Sequence, residues 1–107
     1  MSTEVEVQKQ KLKNAIKYFL EKNGIIFEEG NEFIGVECIL STLEISSEMD
    51  ISYWLGNKSY LIINFRDAEI SVTYKKSYDK NDYSMLKISR DLLYKIAYFN
   101  NTLYFWF

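Results

Sequence analysis

At Asn23-Gly24 the hydrophobic period of this sequence changes, from helical spacing before it to alternation after it. A chain that switches period there and then keeps alternating is confined to a helix packed on antiparallel strands. Upstream, Val5, Gln8, Leu12, Ala15, Ile16, Phe19 and Leu20 fall on one stripe, with Lys9, Lys13, Asn14, Lys17 and Glu21 around the other side. Thr3, three residues before Glu6, has capping-box spacing, which predicts a helix from near Glu4. Gly24 can take the left-handed conformation that closes it.

Downstream, Ile25-Ile26-Phe27 predicts a short strand, and Glu28 to Glu32 a turn around Gly30-Asn31. The next strand is expected to set Ile34, Val36, Cys38 and Leu40 on one face. Leu43 and Ile45 alternate with polar neighbours, Ser47 to Asp50 is polar enough to turn, and Ile51, Tyr53 and Leu55 alternate again before Gly56-Asn57. Residues 60–65 are apolar on both parities apart from Asn64, which predicts a central strand covered on both faces, or one covered on its second face by a partner. Asp67-Ala68 turns the chain into a strand carrying Ile70, Val72 and Tyr74, after which Lys75 to Tyr83 reads as a solvated loop.

Ser89 as N-cap, Asp91 in a first turn and the Ile88/Leu93 staple spacing predict a second helix, with Leu92, Leu93, Ile96 and Phe99 buried and Asn100-Asn101 at its end. Thr102 to Phe107 is then a terminal aromatic strand. The expected fold is α+β: one compact domain over 1–107, with an N-terminal helix, an antiparallel meander of about five to six strands, a second helix and a C-terminal aromatic strand. The same order of elements occurs in toxin immunity proteins and phage inhibitors of host defence, an architectural likeness that carries no residues with it.

Composition narrows the chemistry. The chain has no histidine, which removes imidazole-based acid/base catalysis, serine-type triads and most transition-metal sites. Cys38 is the one cysteine; it falls on the apolar parity of its strand and reads as a small buried hydrophobe rather than a nucleophile. Asp79-Lys80-Asn81-Asp82 fails as a calcium loop, with Ser84 and Arg90 where glycine and glutamate are needed. No enzyme, metal or cofactor is therefore expected. No apolar run reaches the ~20 residues of a membrane helix and no leader pattern opens the sequence, so a cytoplasmic protein without membrane contact is expected. Phe, Tyr, Met, Ile, Asn and Lys supply fifty residues, and Gly, Ala, Arg and Pro nine. That bias fits an AT-rich genome, as in some bacteria, their phages and plasmids, or certain archaeal viruses, and a phage or mobile-element source is expected.

Charge is distributed unevenly. Between Gly24 and Asn57 stand Glu28, Glu29, Glu32, Glu37, Glu44, Glu48 and Asp50, with no Lys or Arg, whereas residues 58–107 carry eight basic and five acidic side chains. Such a field predicts an acidic surface that docks a basic protein. A non-enzymatic inhibitor or adaptor follows, of the anti-defence or toxin-immunity type, directed at a nuclease or nucleic-acid-handling protein. The lesser alternative is nucleic-acid contact through the interleaved Tyr74, Lys75, Lys76, Tyr78 and Lys80. In the last strand Leu103, Phe105 and Phe107 separate by parity from Tyr104 and Trp106, which are expected on a partner or homodimer surface.

Overall fold

The computed structural model describes residues 3–41, 50–56, 59–76 and 83–107. Helix α1 (Thr3–Lys22) has the predicted extent and buries Leu12, Ile16, Phe19 and Leu20. Its first turns carry no core contact, so Val5 and Gln8 are exposed, contrary to the expected stripe; the side chain of Thr3 lies outside the described residues. Gly24 (φ 71°) ends the helix, its N–H donating to Glu21 O and that of Ile25 to Leu20 O.

Among the described residues nine strands follow, more than the meander expected. The segment 25–27 is not one of them. Strand β1 (Glu28–Glu29) pairs with β2 (Phe33–Glu37) across the turn at Gly30. At Cys38 the chain leaves this sheet: β3 (Ile39–Leu40) belongs to the other, so Leu40 is exposed and does not continue the buried row of Ile34, Val36 and Cys38. Then come β4 (Asp50–Gly56), β5 (Ser59–Phe65) and β6 (Glu69–Lys75), followed by β7 (Tyr83–Ser89), whose start falls in the stretch expected to be loop. The readings on Leu43, Ile45, the turn at 47–49 and Asn57 lie outside the described residues.

The second helix is absent. Arg90–Leu92 form a single 3-10 turn, and Lys95–Phe99 is strand β8, a hairpin partner of β9 (Thr102–Trp106). Ser89 makes no side-chain cap, and Asn100 (φ 56°) and Asn101 (φ 60°) form the hairpin reversal rather than a helix stop. Two successive left-handed residues suit a two-residue turn between twisted strands, and asparagine tolerates that conformation.

The strands form two antiparallel sheets. One has four strands in the order β1-β2-β9-β8; the other has five in chain order, β3-β4-β5-β6-β7. A shared core joins α1 to both inner faces, with Ile34, Val36, Leu103 and Phe105 from the first sheet and Tyr53, Leu61, Ile63, Ile70, Val72 and Ile88 from the second. Strand β5 is central as expected but covered on one face only: Leu61 and Ile63 are fully buried, whereas Tyr60 and Ile62 on the other parity are half-buried. Ile51 likewise stays exposed. Among the described residues no helix is long and apolar enough to cross a membrane.

Candidate functional site

The outer face of the four-stranded sheet is set out in three rows by its register. Phe33 lies beside Trp106 and Lys95, Glu28 beside Gly35, Tyr104 and Ala97, and Glu37 beside Thr102 and Phe99. Glu28 and Glu37 therefore stand diagonally across Gly35 on one face, close enough for a single cationic group to meet both. Both are exposed, and neither has an ion pair among the described residues. Between them opens a hollow of about 290 Å³ lined also by Ile26, Phe27, Gly35 and Thr102. Glu37 also borders a larger cleft of about 600 Å³ toward Tyr74 and Lys76.

Beside this hollow lies an aromatic cluster. Phe33 meets Tyr104 edge to face at 5.6 Å and Trp106 at 5.1 Å, while Tyr104 and Trp106 stack at 5.9 Å. The parity predicted for the last strand holds: Leu103 and Phe105 are fully buried, and Tyr104 and Trp106 lie half-buried on the outer side. Apolar lining, two carboxylates and adjacent rings have the chemistry to accept a lysine or arginine side chain.

The other predicted acids are not all part of this site. Alternation turns Glu29 to the opposite face, beneath α1, where Lys17 Nζ stands 3.0 Å and Lys13 Nζ 3.3 Å from its carboxylate. Its bond to Lys17, helped by Lys13, holds that carboxyl below the ordinary glutamate value against the opposing effect of desolvation. Lys13 is itself buried and donates to the carbonyls of Gly30 (2.7 Å) and Asn31 (3.2 Å), so this group clamps the hairpin to the helix.

No protein family, curated protein or solved structure matches this chain.

Glu32 is exposed in the β1–β2 turn, at the end of the sheet away from Glu37. Asp50 belongs to the other sheet, where it accepts a hydrogen bond from Asn64 Nδ2. Glu44 and Glu48 lie outside the described residues, as do Tyr78 and Lys80. Within the Tyr/Lys segment, Tyr74 faces inward beside the large cleft with Lys76, and Lys75 faces outward with Tyr83, so the two do not share a surface. Cys38 is buried, its thiol pushed up to about 11 by desolvation, with Sγ donating to Val36 O at 3.4 Å.

Sequence reading missed Gly35 and Ile26 as parts of the hollow. Ile26 is 90% exposed, and an apolar side chain that burial does not explain was the signal available for it.

Proposed function

We propose that this chain is a non-enzymatic binding domain that takes a basic segment of another protein onto the outer face of its four-stranded sheet. The observation that carries the reading is the pair Glu28 and Glu37, exposed on either side of the Gly35 hollow. Tyr104 and Trp106 supply the apolar anchor next to it, since aromatic residues at the centre of an interface contribute most of its energy. Glu32 adds to the field that steers a cationic partner, while Glu29 serves the fold. An inhibitor or adaptor acting in the cytoplasm on a nuclease or another nucleic-acid-handling protein fits this surface, because such targets carry cationic grooves. The composition supports a phage or mobile-element source.

The test is affinity capture with the wild type beside the double variant Glu28→Lys, Glu37→Lys. The wild type is expected to retain a defined basic protein whose capture weakens with added salt and is lost in the variant. Equal capture by both proteins would sink the proposal. Sedimentation of the isolated chain covers the homodimer: a dimer dissolved by Trp106→Ala would assign this face to a second copy instead.

A further inference from the structure

The five-stranded sheet also has an outer face, and the register draws one line of side chains across it. Ile39 pairs with Trp54, Trp54 with Tyr60, Tyr60 with Lys75, and Lys75 with Tyr83, so a single transverse row crosses all five strands. Adjacent strands lie ~4.8 Å apart, which makes the row ~19 Å long. Trp54 and Tyr83 are 41% and 56% exposed, and among the described residues no helix covers them.

Below this row the face turns polar. Ile62, Thr73 and Met85 are followed by Asn64, Ser71 and Lys87, and an open basin of about 310 Å³ reaches from Lys75 and Tyr83 at one end to Arg66 and Asp50 at the other. Among the described residues, Asn64 Oδ1 and Ser52 Oγ, buried on this parity, have no hydrogen-bond partner. Of the charges present, Arg66, Lys75 and Lys87 outnumber Asp50 and Glu69. Asp50 is held by Asn64, and Glu69 has Lys87 at 4.0 Å.

We propose that this face binds single-stranded nucleic acid, with bases stacking on Trp54, Tyr60 and Tyr83 and the backbone phosphates meeting Lys75, Arg66 and Lys87. Rings on three of the five strands, with Lys75 between two of them, offer stacking platforms beside a cation that can meet the backbone, and sheet faces of this composition accept unpaired bases because every base has a stackable π-face. A duplex hides those faces. A second copy docked here would set the same excess of cations against itself, which disfavours that occupant. The site is separate from the carboxylate pair of the other sheet, so the two readings stand or fall independently; together they describe an adaptor holding a strand on one face and a basic protein on the other.

The experiment is titration of the whole chain with labelled oligothymidylate and oligouridylate of about twelve nucleotides, and with a duplex of equal length, followed by anisotropy and tryptophan fluorescence. Single strands are expected to bind and to quench the fluorescence. Trp54→Phe should keep the binding and lose most of the quenching, and Trp54→Ala or Tyr83→Ala should each weaken binding about tenfold. Lys75→Gln should lower the salt slope by about one. The double variant Glu28→Lys, Glu37→Lys is expected to leave strand binding in place. Comparing the two oligonucleotides tells DNA from RNA as the preferred source. Absence of binding at about 100 μM protein in low salt overturns the proposal, as does preference for the duplex or quenching retained in Trp54→Phe. A dimer in sedimentation that Trp54→Ala dissolves would also overturn it. Circular dichroism checks each variant's fold, and if the alanine variants unfold, the Trp54→Phe and Lys75→Gln arms decide alone.

Discussion

The ring of Tyr104 rests against Gly35: a Cβ at position 35 would stand 3.3 Å from Tyr104 Cε1 and 3.2 Å from Thr102 Cγ2. A bare backbone at that point keeps the hollow between Glu28 and Glu37 open and the ring flat on the sheet. Gly35→Val is expected to lift the ring and fill the hollow, with a loss of about 1–3 kcal/mol from overpacking. Urea denaturation measures the loss. A variant as stable as the wild type with unchanged partner capture would show that neither ring nor hollow matters.

Glu28 and Glu29 are neighbours in sequence and opposite in role. Glu29→Gln is expected to lower the melting temperature and Glu28→Gln to leave it unchanged, because only Glu29 meets Lys17 and Lys13. Since the folded-state value of Glu29 is lowered, its contribution is present above 4.5 and fades as pH falls through the depressed value. Melting curves at descending pH should therefore converge for wild type and Glu29→Gln. Lys13→Met removes the donor to two carbonyls and is expected to cost about 2 kcal/mol.

Desolvation raises two acids that are neutral at pH 7, Cys38 to about 11 and Tyr53 to about 12, the latter with further contributions from Cys38 and Tyr98. In the unfolded chain these groups lose their protons first, near 9 and 10, so stability is expected to fall between about pH 9 and 12. The slope is at most about 1.4 kcal/mol per pH unit for each group. Cys38→Ala and Tyr53→Phe should each flatten the alkaline limb of a stability profile. The same burial predicts a thiol that reacts with Ellman's reagent only after denaturation.

At the β8–β9 reversal, Asn100→Ala puts a Cβ-bearing residue without a compensating polar group into a left-handed conformation (φ 56°) and is expected to cost about 1 kcal/mol. Asn100→Gly should be neutral or stabilising. Thermal melts of the two variants rank them; the reverse order would mean that the turn is not of the doubly left-handed type.

The helix and the alternating strands were legible because each carries one clean period with marked ends. What misled the reading was the stretch from Ser89 to Phe99. Leu92, Leu93, Ile96 and Phe99 fit a helical stripe, yet from Lys95 on the period is two, with Ile96 and Tyr98 on one parity and Ala97 and Phe99 on the other, and the β-forming Ile96, Tyr98 and Phe99 beside Asn-Asn are a hairpin signal. Pairing with a central aromatic strand outweighed weak capping. The departure at Cys38 was illegible for another reason: period-two patterns say which face a residue occupies, not which sheet its strand joins. For the site, charge counting found Glu28 and Glu37 but could not exclude Glu29, whose fate depends on a helix that only folding brings beneath it.

The clasp at that departure point has Tyr98 Oη donating to Cys38 O at 2.8 Å and accepting from Leu40 N at 3.1 Å, across a sheet in which Phe33 lies opposite Trp106. Every neighbour in the five-stranded sheet is also a neighbour in sequence, so it can zip from local hairpins as the chain emerges from the ribosome. Its four-stranded companion must wait for residues 95–106, leaving β2 without its partner β9 during synthesis. Closing that long loop is the slow step expected by contact order. During this interval the edge of β2 is open to foreign strands, and the exposed carboxylates of Glu28 and Glu37 would already be guarding the nascent chain against aggregation.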